Sequence, residues 1–291
     1  MKNEMKIIGI VTIYNPDCVV FENILILSKQ VTTVILTDNS IVEHNIDFEQ
    51  IKNIVYIKNK ENLGLSSSFN KVLEYKDCYD SDFLVFFDQD SQIEFNYINW
   101  MIEEFLSLEK NNNIGCLGPA IFDVNDNTYD FPKKSIKVKD DVYEVQIIIT
   151  SGMLTRYSII KECAFWNESV FLDFADWDLC WRMMKSGFKV YQTRKLKIRH
   201  SLGQGIMMVL GFKLRLNSEI RIYYIIRDGL RLLTKTYVPL NYKFYFLRTT
   251  LISPWIQLLF FKNRFRRLRY ILYGYLHFLF YKKGSFCSKI F

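Results

Sequence analysis

The chain has 291 residues, 49% hydrophobic and 24% charged, which excludes a disordered protein and allows one large α/β domain with an appendage, or two domains. Its six cysteines (Cys18, Cys78, Cys116, Cys163, Cys180, Cys287) form no CxxC pair and no regular spacing, which argues against a zinc ribbon or disulfide framework and favours free thiols in a reducing cytoplasm. The net charge of +7 is unevenly spread: twelve Lys/Arg and no acid follow Asp228, leaving 26 basic and 31 acidic residues before it, a net of −5. An acidic body with a basic, aromatic tail calls for a polyanionic partner, either nucleic acid or an anionic membrane.

The opening MKNEMKIIGIVTIYNPD predicts a buried strand over 6–13 ending in a polar turn, its apolar run too short and interrupted for a signal peptide. A helical pattern follows over 16–30, with Pro16 near its start where a missing N–H is harmless. Strands are expected over 32–40 (TTVILTDNS) and 53–57 (NIVYI), a helix over about 66–75, and a strand at FLVFF, 83–87. Nearly all-apolar strands separated by helices imply a parallel sheet covered on both faces, with ligands beyond the carboxyl ends of the strands. Residues 114–150 read as strands and loops, and a helix is expected from about 174 to 187, with FKVYQT after it. From 213 onward the pattern is largely helical. Residues 242–261 are nearly long enough to span a bilayer, but Lys243, Arg248 and Pro254 make an interfacial helix the better reading. The alternative is a helical subdomain with its cations in solvent.

Three groups of residues carry chemistry. Asp88 and Asp90, spaced i, i+2 at a strand terminus, face the same side if the chain stays extended and can share a divalent cation that offsets diphosphate charge. The plain alternative is a turn, where Asp is common. Asp173, Asp176 and Asp178 cluster at a helix start, where acids are ordinary. Their neighbours Phe171, Phe174, Trp177 and Trp181 make an apolar setting that raises a carboxylate pKa towards that of a general base. His200, before the glycine-bearing SLGQG, is structural or a third metal ligand.

The ordered series TIYNPD, TDNS, ENLGLSSSFN, FFDQDS, SGMLTR, FLDFADWDLCWRMMKSG and HSLGQG resembles the family 2 glycosyltransferases, and among them bacterial rhamnosyltransferases, over roughly residues 6–230. The resemblance implies an α/β GT-A fold, Rossmann-like with a mostly parallel central sheet flanked by helices, over residues 1–210, while the charge and aromatic pattern predicts a helical, basic-aromatic, membrane-associating extension over 211–291. It implies a nucleotide-sugar donor, a divalent metal (Mg2+ or Mn2+) and inversion at the anomeric carbon. Position by position, Thr12, Tyr14 and Asn15 would line the base and ribose pocket. Asp38 would recognise the base, with Asn39 and Ser40 beside it, and Asn62 and Gly64 would lie under the donor. Asp88, Asp90 and His200 would hold the metal, and Asp176 would be the catalytic base. Ser151, Gly152, Trp177 and Asp178 would lie near the acceptor, and Arg221, Tyr224 and Arg227 near the donor phosphates. Two departures stand out: the serines Ser66, Ser67 and Ser68 after the NxG loop, and Asp228 where Asn is common.

The expectation is therefore a metal-dependent inverting hexosyltransferase at the cytoplasmic face of a bacterial membrane. Its favoured donor is dTDP-L-rhamnose, with UDP-galactofuranose, UDP-galactose or UDP-glucose as alternatives. Its acceptor is a saccharide on polyprenyl diphosphate in surface polysaccharide synthesis. A non-catalytic scaffold would have lost the metal or base residues, and a nucleic-acid binder leaves Asp88, Asp176 and His200 unexplained. The Phe/Leu content of the tail favours lipid, and a homo-oligomer is compatible with the sequence.

Overall fold

The unbroken apolar runs form one half of a single mixed sheet. The computed structural model describes residues 5–288 except 124–127, 131–133, 201–205, 210–211 and 216–217. The side chains of Glu49, Asp123, Thr128, Asp130, Arg199, His200 and residues 206–209 and 212–215 also lie outside the description. Strand β1 (Ile7–Ile13) leads to helix α1 (Cys18–Ser28), capped where Asp17 accepts from the Val19 N–H. Strand β2 (Thr33–Asp38), strand β3 (Ile54–Lys58), helix α2 (Gly64–Leu73), the single turn α3 (Lys76–Tyr79) and strand β4 (Phe83–Asp88) follow. These four strands are parallel, in the spatial order β3-β2-β1-β4. The direction of winding reverses at β1/β4, so the crevice for a ligand opens at the carboxyl ends of those two strands. Register brings Thr12 beside Asp88 and Ile13 beside Asp38 at that edge.

The second half of the sheet is mixed. Helix α4 (Tyr97–Glu109) precedes strands β5 (Ile114–Asp123), β6 (Thr128–Asp130), β7 (Ser135–Lys139) and β8 (Val142–Val145). The short β9 (Met153–Thr155) runs antiparallel between β4 and β5. Helices α5 (Tyr157–Glu162) and α6 (Ala175–Lys185) come next, and then the long β10 (Lys189–His200), parallel to β5. The full path is β3-β2-β1-β4-β9-β5-β10-β8-β7, with β6 on β5. The core contains the inward faces of these strands with Phe69, Phe86 and Trp166 in mutual contact. Each such fully buried large side chain contributes roughly 1.5–3 kcal/mol.

Residues 213–215 are strand rather than helix as the sequence pattern suggested. The hairpin β11 (Ile206–Val209) and β12 (Phe212–Arg215) takes that place, and helix begins only at α7 (Glu219–Leu233). The apolar stretch 242–261 is not one helix either. Helix α8 (Leu240–Leu247) passes through a wide turn at Arg248–Ile252 into α9 (Ser253–Phe260), where Pro254 sits in the first helical turn. Proline has no N–H for the preceding turn, so the break falls there. Helix α10 (Arg264–Leu279) follows, packed against α7. Among the described residues no helix is long and apolar enough to cross a membrane. Leu232, Val238 and Phe246 belong to the main core, so the C-terminal helices are fastened to the sheet.

Candidate active site

Two loops bring acids together at the carboxyl edge of β4. Asp88 ends the strand half-buried, and Asp90 is exposed two residues on. Between them Gln89 clamps the β1 turn, accepting from the Tyr14 N–H at 2.7 Å and donating to the Tyr14 carbonyl at 3.3 Å. The segment entering β9 then ties Asp88 to α6. Ser151 donates its hydroxyl to Asp88 at 2.6 Å, and the backbone N–H of Thr150 donates to Asp176 at 3.2 Å. The other oxygen of Asp176 accepts from the Trp177 N–H at 2.8 Å.

The electrostatics of Asp176 follow from this position. Burial pushes its carboxyl up to about 7. The N–H groups of Trp177 and Thr150 offset part of that effect, and the negative charges of Asp88 and Asp173 add to it. A carboxyl that gains and loses its proton near neutrality is suited to general base work. Arg221, near the start of α7, pairs with Asp173 at 2.7 Å. The charge of Asp173, then its hydrogen bond and the charge of Asp88, outweigh burial and hold the guanidinium protonated. One Asp173 oxygen, Oδ2, is buried without a hydrogen bond. Three carboxylates and one guanidinium thus share a site drawn from β4, the α6 entry and α7.

The loop that delivers Asp173 and Asp176 is held at Phe171 from both sides. Its carbonyl accepts from the Leu65 N–H at 2.7 Å, and its N–H donates to Asp228 at 2.9 Å. Gly64 makes the approach possible: at φ +74°, an added Cβ would lie 2.4 Å from the Phe171 oxygen. Gly152 does the same for the turn into β9, at φ +81° with the Tyr97 hydroxyl 2.4 Å from an added Cβ. A groove of about 630 Å3 between α4 and β10, bordered by Trp100, Glu104 and Lys195, includes none of these acids in its lining.

Comparison with known proteins decides the assignment. The sequence model of glycosyl transferase family 2 matches residues 10–164, more than half of the chain. The chain belongs to glycosyl transferase family 2. A curated relative, the dTDP-rhamnosyl transferase RfbF of Shigella flexneri, is 26% identical over 251 residues, covering 81% of this chain and 82% of that protein. Among solved structures, S. aureus TarS 1–349 in complex with UDP-GlcNAc shares the fold with a TM-score of 0.57 at 14% identity, over 94% of this chain and 81% of that one. GalNAc-T7 with UDP, GalNAc and Mn2+ matches with a TM-score of 0.57 at 12% identity, over 88% of this chain but only 58% of that chain. These structures place the glycosyltransferase in the GT-A class of folds.

Several residues expected at the donor or acceptor are held by other side chains of the protein. Arg227 is 0% exposed. It donates to both oxygens of Asp228, to the Tyr223 hydroxyl and to the Gly284 carbonyl, so it fastens α7 to the segment after α10. Tyr224 is likewise packed, stacked on Phe171. Asp178, also 0% exposed, accepts from Asn167, Arg182 and Tyr237. Ser151 and Gly152 are buried, and the Ser151 hydroxyl holds Asp88. Asn39 is a buried hub: its oxygen accepts from Asn59, Leu63 and Ser68, and its amide donates to Gly64. Ser68 therefore accounts for one of the serines after the NxG loop.

Asp38 occupies the edge of β2 as expected, but its carboxylate is enclosed. Burial pushes its pKa up, yet hydrogen bonds from Ser40, Tyr56 and Lys58 outweigh this and bring it to about 2. His44 adds a fourth contact at 3.1 Å. Tyr56 and Lys58 were legible as alternate residues of β3, Lys58 lying beside Asp38 in register. Ser40 also accepts from the Asn15 N–H, bracing the β1 turn. Thr12 is half-buried with its hydroxyl unpaired, Tyr14 and Asn15 are exposed, and Asn62 folds back to accept from the Gly64 N–H. Trp177 is half-buried among Phe174, Tyr242 and Tyr245. His200 ends β10 opposite Asp123, but its side chain and the residues 201–205 lie outside the described set. Among the described residues no group of three or more His, Cys, Asp or Glu is arranged to hold a metal ion.

Proposed function

We propose that this family 2 glycosyltransferase moves L-rhamnose from dTDP-L-rhamnose, with inversion, onto a saccharide carried on polyprenyl diphosphate at the cytoplasmic face of a bacterial membrane. The observation that carries the catalytic part is Asp176, raised to about 7 and linked through Thr150 and Ser151 to Asp88. The similarity to the dTDP-rhamnosyl transferase RfbF supports the donor.

In this reading Asp176 takes the proton from an acceptor hydroxyl as that oxygen forms its bond to the anomeric carbon. The bond from that carbon to the diphosphate breaks, and its electron pair stays on the leaving phosphate oxygen. Attack and departure lie on opposite faces of the sugar, which matches a base on α6 and acids on β4. Arg221 places a positive charge near the diphosphate side while Asp173 fixes its orientation. Asp88 and Asp90 offer hard carboxylate oxygens of the kind Mg2+ or Mn2+ prefers. Such an ion, when bound, would neutralise the leaving diphosphate.

A UDP-sugar donor is the second reading, favoured by the UDP-GlcNAc in the TarS complex. A turnover screen of dTDP-L-rhamnose, UDP-galactose, UDP-galactofuranose and UDP-glucose with Mn2+ separates the two. The expected result is release of dTDP in the presence of acceptor, abolished by chelator and restored by Mg2+ or Mn2+. Turnover only with a UDP-sugar would overturn the donor, and full activity in chelator would overturn the metal.

A further inference from the structure

The turn between α9 and α10 has the features of a membrane anchor. Its apolar side chains are displayed rather than buried: Phe265 is 91% exposed, Leu259 64% and Phe260 50%. The turn that carries them is built. Arg264 donates to the Leu259 carbonyl at 2.8 Å, Arg267 donates to the Lys262 carbonyl at 2.9 Å, and the Arg267 guanidinium lies over the Phe261 ring at 5.1 Å. Such bracing keeps Phe265 presented to solvent in the free protein. Around it stand the exposed cations Lys262, Arg264, Arg266 and Arg269, and no acid occurs in the sequence after Asp228.

This combination selects an anionic bilayer. Apolar side chains that enter the acyl boundary and cations at headgroup level each add binding to an interface. A second copy of the same turn is disfavoured, because it would set cations against cations. A single-stranded nucleic acid would use the cations but leave the aliphatic Leu259 without a role.

The location of the turn ties it to catalysis. Asn263, within the turn, donates to Glu219 at 2.8 Å. Glu219 opens α7 two residues before Arg221, which pairs with Asp173 and senses the charge of Asp88. The exposed turn and the carboxyl edge of β4 therefore meet at the same end of α7. At the other end, Arg231 donates to the carbonyls of Ser169, Lys282 and His277, so α10 and the loop leading to Asp173 are joined through one helix.

We infer that the α9–α10 turn is a membrane-inserting wedge that seats the catalytic edge of the protein against an anionic bilayer. The inference rests on the lipid-linked acceptor reading and deepens it: an acceptor held in the bilayer would reach Asp176 along the surface the wedge occupies.

The test uses the full chain and needs neither donor nor acceptor, so failure of the sugar-transfer reading leaves it intact. Co-sedimentation is measured with vesicles of phosphatidylcholine, with and without phosphatidylglycerol, and with single-stranded DNA at the same salt. The expected result is binding to the anionic vesicles, weakened about tenfold by Phe265→Ser. Arg264→Glu with Arg266→Glu weakens it about fivefold or more for each charge removed. Ile136→Ser, at an apolar residue 66% exposed on β7, should leave it unchanged. Circular dichroism and a thermal melt confirm that each variant is folded. Vesicle binding that survives both wedge variants would overturn the inference, as would tighter binding to DNA than to anionic vesicles. A Phe265-dependent dimer without vesicle binding would overturn it as well.

Discussion

Ser151 donates its hydroxyl to Asp88 at 2.6 Å, while the preceding residue, Thr150, gives its N–H to Asp176. One dipeptide thus fixes the spacing between the strand-end acid and the helix-start acid. The Ser151→Ala variant should fold, because the change removes only a hydroxyl, but Asp88 loses its orientation. Metal affinity or transfer should fall about 10–100-fold, read by titrating Mn2+ against turnover. An unchanged metal dependence would show that the bond has no role in the site.

The raised pKa of Asp176 predicts a pH-dependent stability. Its folded value, about 7, lies above the ordinary 3.8, so the folded state binds the proton more tightly than the unfolded chain. Stability is therefore lost as pH rises from about 4 to 7 and levels off above that. Asp176→Asn does not titrate, and loses one acceptor bond at every pH. Relative to wild type it should gain about 2–4 kcal/mol between pH 4 and 8 in urea unfolding with chelator present. A difference that stays constant with pH contradicts the burial of Asp176.

Gly64 should not tolerate a side chain. Alanine there faces a left-handed backbone and the Phe171 carbonyl, which has nowhere to retreat because Asp228 holds the Phe171 N–H. Gly64→Ala should cost at least about 2 kcal/mol. It should also lower kcat, since Phe171 leads directly to Asp173. Thermal melts alongside turnover check both, and a stable, fully active variant would contradict the clamp.

Asp228 stands where the resemblance leads one to expect Asn, and its setting suits the acid. The carboxylate lies between Arg227 and Arg231, both buried. Burial drives its pKa up while the two guanidiniums pull it down. Asp228→Asn leaves two buried cations without a counter-charge and should cost about 3–5 kcal/mol. Equilibrium unfolding measures it, and a cost below about 0.5 kcal/mol would contradict the network.

The parallel half of the sheet was legible because β1, β2 and β4 are continuous apolar runs, and FLVFF running straight into Asp88 set that acid at a ligand-binding edge. The apolar setting of Asp176 was also legible, from Phe174, Trp177 and Trp181 in one short stretch. Less legible was that several polar residues of the family motifs have buried side-chain partners of their own. Asp178 stands four residues before Arg182, a helical spacing that forms the ion pair consuming it. Arg227 beside Asp228 carried a similar hint. Asn39 gave none, since its four partners come from the loop after β3 and from α2, brought in by tertiary packing. The break in 242–261 was announced by Pro254, whose effect on continuity outweighs the apolar composition around it.

The central claim is that Asp176 accepts the acceptor's proton. Its most direct test is a single-turnover measurement of Asp176→Asn with dTDP-L-rhamnose and acceptor, alongside donor binding by thermal shift. Unchanged donor binding and a transfer rate lower by about 100-fold or more are expected. A variant that binds donor and transfers at close to the wild-type rate would contradict the claim.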